Sequence, residues 1–301
     1  DVKAREVGLE VNRNANLHVL PNMAGFVGSD TVGVVLASGM HASEHVNLAI
    51  DIGTNGEVVL GNRERMLSCS CAAGPALEGA RIRHGMRAAE GAISKIVIND
   101  DMEIGVIGGG RPTGLCGSAL IDAVALFLDH GLLDFTGRLV TEEDAEELPE
   151  NLRKRITTVD DQPAVVLATA RESKTGDAIV LTQKDIREVQ LASAAIRAGI
   201  LVLLEKFEID ADDVHTVLLA GGFGNFIRRS HAKRMGLLPA VPTDRIEFIG
   251  NAAATGAKAA LASISSRREA EAISSETEYI ELAACKEFQN YYMDAMMFPE
   301  G

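Results

Sequence analysis

The sequence contains no pair of cysteines at C-x-x-C spacing. Its four cysteines are Cys69, Cys71, Cys116 and Cys285, of which only Cys69 and Cys71 are close together. Zinc ribbons and iron–sulfur sites draw on closely spaced pairs, so free thiols are expected here, not a metal or cluster site. There is no apolar run of membrane-spanning length and no secretory leader, which argues against a membrane assignment and makes the cytoplasm the expected compartment. Positive charge is in deficit: 29 Lys and Arg face 43 Asp and Glu, for a net charge of -14. A nucleic-acid surface needs a cationic excess to displace counterions, so that class of partner is not expected. What is present is an ordinary globular balance, 47% hydrophobic and 24% charged over 301 residues, enough for two core-bearing lobes. The chain starts at Asp1, not Met, from which removal of a preceding segment is expected.

The most informative stretch is Leu48–Asn62, LAIDIGTNGEVVLGN. An apolar run ends on the carboxylate of Asp51, passes through Gly53-Thr54-Asn55-Gly56 and leaves as Glu57-Val58-Val59-Leu60, which predicts a hairpin with an acid at its tip. Asn55-Gly56 is read as the positive-φ pair of a tight turn. Glycines let a phosphate approach the backbone, the Thr54 hydroxyl can join the cradle, and Asp51 can hold Mg²⁺ through water. The same residues also fit an ordinary hairpin whose Asp faces solvent.

Three further segments repeat the theme of glycine beside an element end. Gly108-Gly109-Gly110-Arg111-Pro112-Thr113-Gly114-Leu115-Cys116-Gly117-Ser118 leads into a helical pattern over Ala119–His130, an anion site by geometry that matches neither G-x-G-x-x-G nor the P-loop. Val214–Ala220 predicts a buried strand running into Gly221-Gly222-Phe223-Gly224, at the strand end where α/β proteins bind ligands. Ile246–Ile249 predicts another strand, followed by Gly250 and a small-residue helix with Asn251 at its start. Ser29 or Asp30 is a predicted N-cap for a short helix over 31–38, and Asp30 is also a second carboxylate for the site. Glu78 sits among small residues where a ligand can come close, or serves as a first-turn helix acid. His41-Ala42-Ser43-Glu44-His45 matches a zinc-peptidase pattern, but Gly39 before it and a strand after it predict a loop.

The organisation expected is an N-terminal segment 1–46, a first lobe 47–135, a connection 136–186 with strands entering the second lobe, a second lobe 187–265, and a tail 266–301. The connection carries the acidic run Glu142–Glu147 and the basic Arg153-Lys154-Arg155, read as a solvated face. Strands are predicted over Ile93–Ile98, Glu103–Ile107, Ala164–Thr169 and Ala178–Thr182. A long amphipathic helix is predicted from about Gln183 to Phe207, its apolar face traced by Ile186, Val189, Ile196, Ile200 and Leu203.

The order of these segments resembles the actin/sugar-kinase/heat-shock-chaperone ATPase superfamily, over Asn47–Leu261. That resemblance implies an α/β fold of two RNase-H-like lobes closing on a nucleotide cleft, with ATP and Mg²⁺ as cofactors. DIGTNG would be the first phosphate loop, GLCGS the second and LLAGGFG the adenosine loop. Within the superfamily the chain is similar to the reductive activators of corrinoid proteins. The blocks that carry this are residues 21–39 (PNMAGFVGSDTVGVVLASG), 48–62, 71–86 (CAAGPALEGARIRHGM), 112–122 (PTGLCGSALID), 181–199 (LTQKDIREVQLASAAIRAG), 218–226 (LLAGGFGNF) and 279–299 (YIELAACKEFQNYYMDAMMFP). The resemblance implies ATP-dependent electron transfer from an iron–sulfur cluster to cobalt(II) of a corrinoid protein in a methyltransferase system. The cluster is expected on a segment absent from this chain, and the corrinoid protein is the expected partner, with a homodimer as a further expectation. Asp51 would be catalytic and hold Mg²⁺ through water. Gly53, Thr54, Asn55, Gly56, Gly114, Gly117, Ser118, Gly221, Gly222, Phe223, Gly224 and Asn251 would bind nucleotide, with Asp30 and Glu78 within reach. The usual Asp of the second phosphate loop is replaced by Leu115-Cys116. Two other readings share these residues: a small-molecule kinase of the same superfamily, and a non-hydrolysing, nucleotide-dependent binding module.

Overall fold

The computed structural model describes residues 1–222 and 227–300. At the N-terminus β1 (Val2–Lys3) and β2 (Asn16–Leu17) form a two-stranded antiparallel ribbon. Helix α1 (Ser29–Ser38) follows, capped by the backbone of Gly28 without a side-chain bond. The expected capping role of Ser29 or Asp30 is therefore corrected. Both lie inside the first turn, where the helix dipole still favours the Asp30 carboxylate.

The organising element is a six-stranded mixed sheet in the order β13-β12-β3-β4-β5-β14. β3 (Asn47–Ile52), β4 (Gly56–Gly61) and β5 (Met66–Cys71) form an antiparallel meander. β3 is nearly continuous in apolar character because it is covered on both faces. Leu48, Ile50 and Ile52 belong to one core, while Ala49 belongs with Val59, Leu218 and the α1 valines to a second.

Between β5 and the long helix over Gln183–Phe207 lies an insertion carrying two three-stranded sheets. The first, ordered β7-β6-β8, holds β6 (Ala92–Ile98), β7 (Met102–Val106) and β8 (Gly114–Leu115). Helix α2 (Gly117–Asp129) packs on β6, and α3 (Glu150–Arg153) is a single turn. The second sheet, β11-β10-β9, holds β9 (Ile156–Val159), β10 (Gln162–Ala168) and β11 (Ile179–Thr182).

Helix α4 spans Gln183–Phe207, as its apolar periodicity predicts. It is started by a capping box in which buried Thr182 and Asp185 exchange hydrogen bonds. Then come β12 (Thr216–Ala220), α5 (Arg229–Arg234), β13 (Ile246–Gly250), α6 (Ala252–Ala262), α7 (Ile264–Glu276), β14 (Thr277–Tyr279) and α8 (Phe288–Ala295).

Helix α4 covers one face of the large sheet, with α8 outside it, and the α1–α6 pair covers the other. The α/β class is as expected, but the partition of the chain is not. Segments 47–135 and 187–265, assigned to separate lobes, share this sheet, because β3 pairs in parallel with β12. Local periodicity carries no information on which distant strand is the neighbour. The tail also departs from expectation: β14 pairs with β5 and completes the sheet.

The His41–His45 stretch is a short 3₁₀ turn and a loop, as predicted. The His45 ring stacks on His215, and Arg63 donates to Glu44. No helix among the described residues is long and apolar enough to cross a membrane.

Candidate functional site

β3 and β12 run parallel with Ala220 beside Asp51, so the ends of both strands open at the same edge of the sheet. Gly221 follows immediately, with φ +94°, and a Cβ there would lie 2.9 Å from Asp51 Oδ1. Only glycine fits this position, on backbone conformation and on space alike. Gly222 has open space around it. Phe223 and Gly224 lie outside the described residues. Beyond them, α5 is fastened to the insertion: His231 Nδ1 is 2.7 Å from Asp122 Oδ1, and Arg228 donates to the Ile96 carbonyl at 3.1 Å.

The hairpin loop is Gly53-Thr54-Asn55, closed by Gly53 N–H donating to Asn55 O at 2.9 Å. The expected Asn55-Gly56 turn is corrected, since neither residue has positive φ and Gly56 already pairs with Ile52 in the ladder. Gly56 is buried beneath α4, where a Cβ would lie 2.7 Å from Ile196 Cγ1. Close packing accounts for that glycine. Thr54 donates its hydroxyl to Glu78 Oε1 at 2.8 Å, joining two residues singled out separately in the sequence. The 3₁₀ turn Pro75–Glu78 that carries Glu78 packs on α2.

The second glycine segment is built differently from the expected loop. α2 begins at Gly117, so Gly117 and Ser118 form its first turn. Gly114 is buried in β8, where a Cβ would lie 2.5 Å from the His84 carbonyl oxygen and 3.0 Å from Met86 Sδ. Ser118 is buried with its hydroxyl donated to Ser94 O at 2.8 Å. Gly114 belongs to the small β7-β6-β8 sheet and Asp51 to the large one. Gly117 is buried in that first turn of α2. Asn251 caps α6, its Oδ1 accepting from Ala254 N at 3.1 Å, and α6 starts beside Gly221, whose N–H donates to Gly250 O at 2.9 Å.

One carboxylate was missed in the sequence. Glu57 stands directly across the ladder from Asp51 and accepts a hydrogen bond from Ser70 at 3.3 Å. The available signal was register: a hairpin pairing Ile52 with Gly56 necessarily sets Asp51 opposite Glu57. Burial pushes Glu57 up to about 7, helped by the charges of Asp30 and Asp51. Burial and then Asp30 also raise Asp51. No Lys, Arg or His among the described residues forms an ion pair with Asp30, Asp51 or Glu57.

This electrostatics has a measurable consequence. The folded pKa of Glu57 lies above its ordinary 4.5, so the folded state holds the extra proton between pH 4.5 and about 7. The resulting stabilisation is complete below the lower value and is lost as pH rises through the upper one. Glu57→Gln is expected to match the parent chain at about pH 4.5 and to exceed it at about pH 8 by about 1 kcal/mol, discounted for the solvent that reaches the group. Denaturant midpoints of both chains across that range check this; parallel pH profiles would refute it.

The cysteines do not assemble. Cys69 and Cys71 are fully buried under α4 with their sulfurs 4.0 Å apart, facing Gly199. Their mutual hydrogen bond and burial push the Cys69 thiol up, as for inert core thiols. Cys116 is buried and Cys285 half-buried. No three His, Cys, Asp or Glu side chains among the described residues are placed to share a metal ion.

Comparison with known proteins finds two family models that together span the chain. Residues 45–301 match the C-terminal domain of RACo, the ASKHA domain, and residues 1–43 match the RACo middle region. The corrinoid activation enzyme RamQ of Eubacterium limosum is 37% identical over 301 residues, covering 100% of this chain and 50% of that protein. The [Co(II) methylated amine-specific corrinoid protein] reductase of Methanosarcina barkeri is 25% identical over 305 residues, covering 93% of this chain and 51% of the reductase. A solved structure, the reductive activator for corrinoid, iron-sulfur protein, superposes with a TM-score of 0.89 at 35% identity, covering 99% of this chain and 47% of that one. The chain thus spans about half the length of the curated relatives it matches.

Proposed function

The chain belongs to the family of reductive activators of corrinoid proteins, as the ASKHA domain and a stretch of the middle region, and on that premise we propose that it binds ATP with Mg²⁺ at the Asp51 hairpin to drive an electron onto the cobalt of a corrinoid protein. One observation carries this reading. The bare backbone of Gly221 lies against the Asp51 carboxylate at the shared edge of two parallel strands, the position where α/β sheets take ligands.

The residues present suit the group. Asp30, Asp51 and Glu57 form an acidic face without a paired cation, and a hydrated divalent ion would relieve their repulsion. Asp51 holds Mg²⁺ through water. Asn55 offers a backbone N–H group to phosphate, Gly53 leaves the approach free of a side chain while its own N–H closes the loop, and Glu78 orients the Thr54 hydroxyl beside them. Gly221 and Gly222 admit the ribose or base, and Asn251 reaches it from the start of α6. When bound, MgATP supplies the free energy, through binding or hydrolysis, that biases the domain toward the form preferred by its partner. The domain can favour electron transfer only by the difference in its affinity for the two oxidation states of that partner.

The electron is proposed to come from an iron–sulfur centre in the half of the relatives' length that this chain does not span. The partner is proposed to be the corrinoid protein of a methyltransferase system in the cytoplasm, and the activator to work as a homodimer.

Calorimetric titration with ATP and with a non-hydrolysable analogue, with and without Mg²⁺, tests the site. Binding that weakens by at least about tenfold when Mg²⁺ is chelated is expected. No binding of either nucleotide, even with a corrinoid protein present, would overturn the assignment.

A further inference from the structure

A cavity of about 540 Å³ lies between the second half of α4, the turn after it, α5 and the loop before β13. It is remote from the Asp51 edge. Ala211 and Thr243, which line it, precede β12 and β13, whereas Asp51 and Gly221 stand at the far ends of the parallel strands. The span of a five-residue strand, on the order of 15 Å, separates the two places.

Its floor is apolar, formed by Ile200, Leu201, Leu204, Leu238 and Pro239. Three cations stand around it: Arg197, Lys233 and Arg234, with Glu300 as the acid at its edge. Arg234 is neutralised by Asp129 at 2.5 Å. Arg197 and Lys233 are not: no carboxylate among the described residues lies within ion-pair distance of either. Arg197 spends one N–H on Met297 O at 3.2 Å, and Lys233 donates to Val241 O. A guanidinium has five N–H donors, so most of Arg197's remain for a ligand. Burial lowers the Arg197 pKa, and Asp294 acts on it only from beyond ion-pair distance.

Two uncompensated cations beside an apolar hollow are unexpected in a chain of net charge -14. Apolar walls with a few convergent polar groups, at this volume, are the make-up of a small-molecule site.

We propose that this cavity is a second ligand site, separate from the nucleotide site, for a small molecule with an apolar acyl or aryl body and one anionic head. The body lies on the leucines and Pro239, and the head pairs with Arg197 and Lys233. The site adjoins α5 and the loop leading to β13, the strand whose far end, Gly250, accepts a hydrogen bond from Gly221 N–H.

The test uses the whole chain with 1-anilinonaphthalene-8-sulfonate, an aryl sulfonate, as fluorescent probe and decanoate as competitor. A saturable signal displaced by decanoate is expected. It should weaken about tenfold in Arg197→Gln, as for loss of one charge-assisted hydrogen bond, and recover in Arg197→Lys. Ala240→Trp fills the exposed mouth of the cavity and should abolish it. Asp51→Ala should leave it unchanged, and ATP should not displace the probe. The proposal is overturned by absence of saturable binding, by binding that Arg197→Gln and Ala240→Trp both leave intact, or by displacement of the probe with ATP. Because Asp51→Ala leaves this cavity untouched, failure here and failure of the nucleotide reading are distinguishable.

Discussion

Asp51→Ala is expected to weaken Mg²⁺-dependent ATP binding by on the order of 100-fold or more and to abolish nucleotide-dependent activation of a corrinoid protein, with the fold intact. The carboxylate is half-buried beside Asp30 and directly across from Glu57, and its pKa is raised first by burial and then by Asp30. The folded chain therefore pays to keep it ionised. Removing it should leave thermal stability equal or slightly higher near neutral pH, because two other carboxylates lose a like charge. This opposition of effects separates a functional acid from a structural one. Asp51→Asn, which keeps the shape and loses the charge, should bind nucleotide as poorly as the alanine variant. Calorimetry with and without Mg²⁺, alongside thermal melts, reads both quantities. Retained activation in Asp51→Ala would sink the assignment of this residue.

Gly256→Leu is expected to cost about 3 kcal/mol or more and to lower the melting temperature by about 6–10 °C. Helices α1 and α6 meet backbone to backbone. A Cβ at Gly256 would lie 2.6 Å from Gly33 Cα, and a Cβ at Gly33 would lie 2.8 Å from the Ala253 carbonyl oxygen. Backbone cannot rotate out of the way as a side chain can, so the helices must separate. Ala257→Leu adds a larger apolar group on the exposed side of the same helix and should change the melting temperature by about a degree at most. A second effect follows from position. The first turn of α1 carries Asp30, so separating the helices withdraws that charge from Asp51 and Glu57 and should shift the pH profile of Glu57 downward. An unchanged melting temperature in Gly256→Leu would show that the crossing tolerates separation.

Much of the local architecture was legible in the sequence. The hairpin around Asp51, the strand ending at Gly221, the small-residue helix after Gly250 and the full span of α4 follow from apolar periodicity and from glycines at element ends. The family resemblance rests on the same blocks, and the family models match it across the chain. Three glycines were legible as glycines but not in purpose. Gly56 and Gly114 read as phosphate ligands, and both prove to be places where another element packs too closely for a side chain. A requirement for no side chain looks the same in sequence whether the neighbour is a ligand or a helix. Gly33 gave no site signal, yet it sets the distance between α1 and α6.

By itself, then, the sequence determined the elements, the acid at the hairpin tip and the family. These depend on interactions between residues a few positions apart, such as strand alternation, helix periodicity and turn chemistry. Tertiary structure alone decided that β12 lies beside β3, so that Gly221 meets Asp51 across some 170 residues of intervening chain. It also decided that Thr54 reaches Glu78, and that Asp30 on a separate helix adds its charge to Asp51 and Glu57. The physical reason is that strand pairing and helix crossing are chosen by the burial of whole faces, a sum over the entire chain that no local window contains.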